Sequence, residues 1–299
     1  MSVELWAQPA MMSDPAPEQM MEHILKRVGD IPPLPVVATK ILSMVNDPDL
    51  EVDDLVSVIQ KDQGLTAKIL RVSNSAFFGL CRTITTVKEA VVTLGLNNIR
   101  NQVIALCARS MLETRAEGYA LEAGGLWEHS LGTAFCAERL SSVLGLKGTA
   151  DQVFVGGLLH DIGKSILSYY VATRFQPILR LVDGEGLTFV EAETQELGFD
   201  HAEIGARVAL RWNLPEALVD MIAHHHGPSR ESKNRTQVCI VHVADAIASM
   251  LGLGLGVGGL ENRIDDEAIA HLGVDDQVVQ DVMVHMSSIG DLRAHIGIN

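Results

Sequence analysis

Apolar residues recur every three or four positions along most of this chain, and almost none of them alternate with polar residues in the two-residue period of a strand. In the stretch Asn97–Leu112, for example, Ile99, Val103, Leu106 and Met111 fall on one side of a helix. A chain with this pattern buries its apolar residues by packing helix against helix. The sequence therefore predicts an all-α fold.

The length of 299 residues allows one large domain or two smaller lobes, and the hydrophobic content of 47% is typical of a compact protein. The segment Glu113–Gly125 is rich in charge and glycine and predicts a boundary. We expect a flexible leader at 1–17, an N-terminal helical lobe at 18–115 and a C-terminal helical lobe at 116–299. The leader has three prolines and no basic segment, so it does not resemble a secretion signal.

Charge and cysteine usage exclude several classes of protein. The formal net charge of -15 disfavours nucleic acid as a partner, because phosphate backbones bind to basic surfaces. The four cysteines are far apart and form no Cys-x-x-Cys pair, which is typical of reduced cytoplasmic thiols. The apolar stretch Val238–Leu260 contains His242 and Asp245, which would be costly in lipid, so we expect a buried helix and no membrane span.

An adjacent histidine and aspartate, His160 and Asp161, follow the apolar run Val153–Leu159. Burying an imidazole beside a carboxylate costs several kcal/mol unless both find partners. A divalent cation satisfies both, since it accepts imidazole nitrogen and carboxylate oxygen together. The alternative is a helix end at which the two side chains cap backbone groups or form an ion pair.

Further histidines and a second aspartate lie on or beside other apolar helices. They are His129, His201, the triplet His224-His225-His226, and Asp245. Helices that share a core can bring such residues to one point, as in helical metalloproteins. Any single histidine among them could equally be a core or surface residue, and the triplet could be a solvated helix end. Asp245, however, lies among Val, Ala and Ile, where an unpaired carboxylate is strongly disfavoured.

The order His, His-Asp, His, His-His, Asp resembles the HD superfamily of metal-dependent phosphohydrolases, and more narrowly its members with two metals. The segments His160-Asp-Ile-Gly-Lys164 and His201-Ala-Glu-Ile-Gly-Ala206 are also similar to those of the HD-GYP phosphodiesterases. The first half of the chain is similar to the HDOD domain, an HD-related output module of bacterial signalling proteins. Its matching segments are Ile31–Val37, Val58–Asp62, Leu65–Ala76 and Ala90–Arg100. The resemblance runs from about residue 20 to about residue 250 and implies an HD-superfamily fold, with the N-terminal lobe packed on an HD-like C-terminal lobe.

The resemblance also implies two divalent transition-metal ions. Mixed nitrogen and oxygen ligands suit iron or manganese, with zinc as an alternative. The implied ligands are His129, His160, Asp161 and Asp245 for one ion, and Asp161, His201, His225 and His226 for the other. Asp161 would bridge the ions and, with Lys164, form the catalytic pair, in which Lys164 offers a positive charge to a phosphate oxygen. His224 is left out because the family's His-His pair is followed by one residue and then proline, as in Gly227-Pro228.

Two functions remain open at this point. The first is bacterial signal transduction through an HDOD module whose metal centre is regulatory or senses a ligand, because HDOD proteins are generally treated as regulatory. The second is a metal-dependent phosphohydrolase or phosphodiesterase acting on a nucleotide or a related phosphoester. The GYP signature is absent, and Gly227–Lys233 stands in its place. The expected partner is a signalling protein or a small phosphorylated ligand, and the expected location is the cytoplasm.

Overall fold

A computed structural model of the chain describes residues 24, 26, 35–44, 51–75, 78, 80, 82–228, 232–254, 256 and 264–289. The regular elements within these ranges are helices, which confirms the predicted all-α class. Their one β feature is an isolated bridge between Ala116 and Leu121. The predicted leader at 1–17 lies outside the described residues.

Between residues 35 and 115 the described part of the chain forms five α-helices. They are α1 (Val36–Ser43), α2 (Val52–Ile59), α3 (Gln63–Ser73), α4 (Val87–Leu94) and α5 (Leu96–Leu112). Side-chain caps explain where two of them begin. The Asp62 carboxylate accepts a hydrogen bond from the first turn of α3, and the Thr86 hydroxyl does the same for α4.

In the described ranges after a short 3₁₀ turn at Glu117–Tyr119, the chain forms ten further α-helices. They are α6 (Gly125–Val143), α7 (Ala150–Leu159), α8 (Ile162–Thr173), α9 (Phe175–Glu185), α10 (Phe189–Leu197), α11 (His201–Arg211), α12 (Glu216–His224), α13 (Arg235–Met250), α14 (Asp266–Leu272) and α15 (Asp276–Ile289). Thr188 and Glu191 form a reciprocal capping box at α10, and Asp200 caps α11 by accepting from the Glu203 amide.

The apolar pattern predicts a helix from Lys164 to about Arg174 that continues through Phe175–Asp183, and the predicted continuation is wrong. The chain leaves helical geometry at Arg174 (φ -111°, ψ 15°), between α8 and α9. Pro177 explains the break, because it cannot donate a backbone hydrogen bond to the preceding turn but fits the first turn of a new helix. The spacing of apolar residues continues across the break, so periodicity alone does not predict that the helix ends there.

The core positions the helices that carry the predicted ligands. Helix α6 packs against α7 and α13, and α8 packs against α11. Leu131, Val155 and Val243 are fully buried among them. The apolar core also includes residues of α1–α5, so the division into two lobes remains a prediction. No helix of the described ranges has both the length and the hydrophobicity to cross a bilayer.

Candidate metal centre

Five of the predicted ligands lie where helices begin or end. His160 follows the last residue of α7, and Asp161 precedes the first residue of α8. His201 is the first residue of α11, while His225 and His226 directly follow α12. The ends of several helices can approach one point more closely than their middles can, because the rest of each helix runs away from that point. The other two ligands, on α6 and α13, lie within their helices.

Asp161 lies between two groups of imidazoles. Its Oδ2 is 3.6 Å from His129 Nε2 and 3.4 Å from His160 Nε2. Its Oδ1 is 3.3 Å from His201 Nε2 and 3.6 Å from His225 Nε2. Each oxygen of one buried carboxylate therefore faces a different group, which is the arrangement of a bridging ligand.

Asp245 and His226 complete the two groups. Asp245 Oδ1 lies 2.9 Å from His129 Nε2, and His226 Nε2 lies 2.8 Å from His201 Nε2. Within each group the potential ligand atoms lie within 4.8 Å of one another. The structure thus brings together all the predicted ligand residues, in the two groups that the resemblance implies. His224, which was left out, is exposed.

Four of the imidazoles have Nδ1 against an oxygen acceptor. The pairs are His129 with the Leu253 carbonyl (3.2 Å), His160 with the Gly157 carbonyl (2.7 Å), His201 with the Glu193 carboxylate (2.7 Å) and His225 with the Ile222 carbonyl (2.8 Å). Each Nδ1–H donates to its acceptor, which in the neutral ring leaves the Nε2 lone pair facing Asp161. This is how proteins orient metal-binding histidines.

Several of these ligand atoms lack the hydrogen bonds that buried polar atoms normally make. His160 Nε2, His225 Nε2 and Asp161 Oδ1 are buried and make no hydrogen bond to the described residues. Such atoms cost free energy unless something else satisfies them. Divalent transition metals accept both imidazole nitrogen and carboxylate oxygen, so the residues present fit such ions.

The protonation states of Asp161, His225 and His226 suit metal binding. Burial opposes charge on Asp161, but His160 and Lys164 hold its pKa well below the usual range, so it is ionised at neutral pH. Burial lowers the pKa of His225 to about 4, and burial with the neighbouring His225 lowers the pKa of His226. These imidazoles are therefore neutral and able to bind a cation.

His160 and His201 differ from these two imidazoles. Burial lowers the pKa of His160, but the Asp161 carboxylate outweighs that effect and raises it. His201 behaves in the same way. Burial lowers its pKa, but the Glu193 carboxylate outweighs that effect and raises the pKa to about 9. An ion that binds Nε2 must therefore displace a proton at neutral pH.

A cavity of about 540 Å³ opens onto the cluster. Asp161, His129, His201 and His226 all line it, so ions held there would be accessible to a small molecule. Lys164 also lines the cavity, and its Nζ donates to Asp161 Oδ2 at 2.7 Å. Burial lowers the pKa of Lys164, but Asp161 and Asp245 more than compensate and raise it, so the ammonium stays charged.

The basic residues that follow the His pair play no visible part in this cavity. Lys233 is 84% exposed and lies 3.9 Å from Glu216. Arg235 pairs with Glu267 at 3.7 Å, and neither cation lines the cavity. Lys233 is thus a solvated residue, as the simpler interpretation of this polar loop predicts, whereas Arg235 is half-buried. Arg230 lies outside the described residues.

Glu193 is a site residue that sequence analysis missed. It is fully buried on α10, and Oε2 accepts from the His201 ring. The available signal was its position: Glu193 shares a helix face with the buried Phe189 and Leu197, whereas Glu191 points outward. A carboxylate on an apolar helix face needs a buried partner.

Comparisons with known proteins identify the family of this chain. The HDOD domain family model matches residues 31–228. A crystal structure of an HDOD domain protein of unknown function from Geobacter sulfurreducens has a TM-score of 0.73 and 28% identity, covering 93% of this chain and 96% of that one.

Two curated relatives are longer than this chain. An uncharacterised protein of Treponema pallidum is 29% identical over 208 residues, which are 70% of this chain and 40% of that protein. Ribonuclease Y of Fervidobacterium nodosum is 28% identical over 162 residues, which are 54% of this chain and 24% of the enzyme. The chain thus spans less than half the length of either relative. The match of the family model, together with the helical fold and the HD-type cluster, shows that this chain belongs to the HDOD family.

Proposed function

We propose that this HDOD protein is a signal-transduction module whose cluster holds two divalent transition-metal ions and binds a phosphorylated ligand. The observation that carries the proposal is the position of Asp161. Its two oxygens face separate groups of imidazoles, at the floor of a cavity that also contains Lys164. Nitrogen and oxygen donors in this mixture suit iron or manganese, with zinc as an alternative.

Access to the cluster supports a ligand-binding role over a purely structural one. Structural metal sites are enclosed by their protein ligands, whereas sites that bind or transform a ligand keep a coordination position open. Here His129, Asp161, His201 and His226 reach the cavity. Lys164 provides a charged donor beside them, which suits an oxygen of a phosphate group.

The same geometry favours a second candidate, hydrolysis of a phosphoester. Two bound ions would supply an activated water and neutralise phosphate charge. The residues of the chain would hold the substrate: Lys164 would bind a phosphate oxygen, and Asp161 would keep the ammonium in place. The similarity to Ribonuclease Y supports this candidate, since that enzyme is named for the cleavage of phosphodiesters in RNA.

The experiment has two stages, both with protein purified without chelators. Metal analysis should find about two iron or manganese ions per chain. Calorimetry should then detect binding of inorganic phosphate or a nucleoside monophosphate, weakened by about 10- to 100-fold in Lys164→Ala, because a hydrogen bond to a charged group is worth about 1.5–3 kcal/mol. Lys233→Ala is the matched control, as it removes an exposed lysine away from the cavity. Absence of metal, or equal effects of the two substitutions, contradicts the proposal.

A panel of substrates separates the two candidates. It contains a nitrophenyl phosphate, a bis-nitrophenyl phosphate, cyclic mononucleotides, a cyclic dinucleotide and a short RNA, with Mn²⁺ or Fe²⁺ under reducing conditions. Binding without turnover supports the signalling module. Robust turnover that disappears in both Asp161→Ala and Lys164→Ala, but not in Lys233→Ala, establishes the hydrolase.

A further inference from the structure

The segment between α5 and α6 does more than connect two parts of the chain. Backbone hydrogen bonds between Ala116 and Leu121, of 3.0 and 3.1 Å, close it into a short loop. A further bond of 3.0 Å joins the Gly124 amide to the Glu113 carbonyl at the base of the loop. Tyr119 lies at the tip, in the 3₁₀ turn. The segment is therefore a hydrogen-bonded loop with an aromatic side chain at its end.

The tip of this loop is docked tightly on α8. The Gly118 amide donates to the Ser168 hydroxyl at 3.2 Å. A Cβ atom at Gly118 would lie 2.2 Å from the Ser168 carbonyl oxygen, so only glycine allows this approach. The contact holds the neighbouring Tyr119 against the metal centre.

Tyr119 is 1% exposed and contacts three residues of the centre. Its hydroxyl donates to Glu193 Oε1. Its ring meets the His201 ring edge-on, with centroids 5.9 Å apart. Lys164 Nζ lies 5.5 Å from the ring centroid, within the range of a cation–π contact.

Glu193 transmits the constraint from Tyr119 to a metal ligand. While Oε1 accepts from the tyrosine, Oε2 accepts from both His201 Nδ1 (2.7 Å) and the His201 backbone amide (3.3 Å). Glu193 is fully buried, so solvent does not reach its carboxylate. Among the described residues, its hydrogen-bond partners are the Tyr119 hydroxyl and the ring and amide of His201. Without the phenol, rotation of the carboxylate would weaken the bond that orients the His201 ring.

We propose that Tyr119 is a positioning residue of the metal centre: its hydroxyl fixes Glu193, which directs His201 Nε2 toward Asp161 and His226. The inference rests on the proposed metal site and deepens it. In this proposal the loop after α5 supports one half of the centre, which is formed by Asp161, His201, His225 and His226. The other half, with His129, His160 and Asp245, is not touched by the Tyr119 hydroxyl.

The test is a titration of metal-free protein with Co²⁺, a substitute ion whose visible absorption reports ligand geometry. Tyr119→Phe removes the hydroxyl and keeps the ring beside Lys164. We expect one of two ions to bind about 10- to 100-fold more weakly, with a changed absorption band, while the other is unaffected, because loss of an outer hydrogen-bond partner has this effect on metal affinity. Tyr169→Phe, on α8, is the matched control: its half-buried ring contacts Tyr170 and does not line the cavity, so both ions should be unchanged.

A second background shows whether Tyr119 acts through Glu193. In Glu193→Gln, which keeps the shape of the side chain, the added Tyr119→Phe should cause little further change. Additive effects of the two substitutions would overturn the inference, as would equal weakening of both ions or a Tyr119→Phe protein that binds Co²⁺ like wild type. Wild-type protein that binds no Co²⁺ would overturn the proposed function as well, so the two failures are distinguishable. Melting of the metal-free variants shows whether each is folded.

Discussion

Outside the histidine–aspartate cluster, Glu138 on α6 is a carboxylate whose surroundings disfavour its charge. Burial raises its pKa to about 7, and the nearby Asp151 carboxylate adds to the effect. Asp151 in turn pairs with the buried guanidinium of Arg100 on α5. Between about pH 4.5 and 7 the folded protein therefore holds a proton that the unfolded chain releases. The contribution of Glu138 to stability falls as pH rises through this window and is constant above it.

Glu138→Gln should remove this pH-dependent penalty. Between pH 5 and pH 8, the free energy of unfolding of the variant should rise by about 2–3 kcal/mol relative to that of wild type. The shift in the pKa of Glu138 corresponds to a free energy of that order. Urea unfolding of both proteins at the two pH values measures the change. The control is Glu185→Gln, which alters an exposed carboxylate. If wild type and variant differ in free energy of unfolding by the same amount at both pH values, the prediction is wrong.

Among the helix contacts, that between α8 and α11 most directly sets the geometry of the centre. A Cβ atom at Gly163 would lie 1.9 Å from the His201 carbonyl oxygen and 2.8 Å from the Gly205 amide nitrogen. Both are backbone atoms that cannot move without the helix. Since Gly163 is two residues after Asp161, the close approach of the helices holds Asp161 Oδ1 near His201 Nε2, at 3.3 Å.

Gly163→Ala should push α8 away from α11 and disrupt the centre. We expect a loss of stability of about 3 kcal/mol or more, as for other strained core substitutions, together with reduced metal content. The matched control is Gly184→Ala in α9, where an added Cβ meets nothing within 4 Å. Alanine has a higher helix propensity than glycine, so the control variant should be more stable than wild type by about 0.5–1 kcal/mol. Thermal melting and metal analysis of both variants make the comparison. If the two variants have the same melting temperature and metal content, the close approach of α8 and α11 at Gly163 does not determine the geometry of the centre.

For the molecule as a whole, the cluster concentrates buried carboxylates that compact packing alone cannot stabilise. Asp161, Asp245 and Glu193 are each less than 4% exposed, in a chain with a net charge of -15. Bound cations would offset this charge and favour the folded state by mass action, by about 4 kcal/mol when the free ion is at a thousand times its dissociation constant. Metal binding should therefore contribute to the stability of the whole fold.

Chelation should lower the melting temperature of wild-type protein by about 5–10 °C, given the size of the chain and the mass-action estimate. Asp161→Ala removes the shared ligand and should melt at the same temperature with and without chelator. Asp183→Ala, which replaces an exposed carboxylate on α9, should respond to chelator as wild type does. Scanning calorimetry provides the measurement. Wild-type melting that does not respond to chelator would mean that the centre does not contribute to stability.

The sequence by itself determined the helical class and the residue types of the centre. The spacing of Ile99 and Val103 predicted helices because one face of a helix must be apolar to be buried. The caps at Thr188 and Asp200 were predictable because they act within one turn. The residues of the cluster were predictable because their motifs lie in short segments whose order is recognisable. How these segments pack on one another does not follow from any of these local rules.

Only the tertiary structure decided which oxygen of Asp161 faces which group, and which acidic residue of α10 supports His201. Periodicity indicates that a helix face is buried, but not which side chains it meets. Tyr119 and Glu193 are 74 positions apart, and their hydrogen bond exists because α8, α10 and the loop after α5 converge. Such contacts depend on the summed packing of many helices. A lone tyrosine in a polar connecting segment gives no local sign of them.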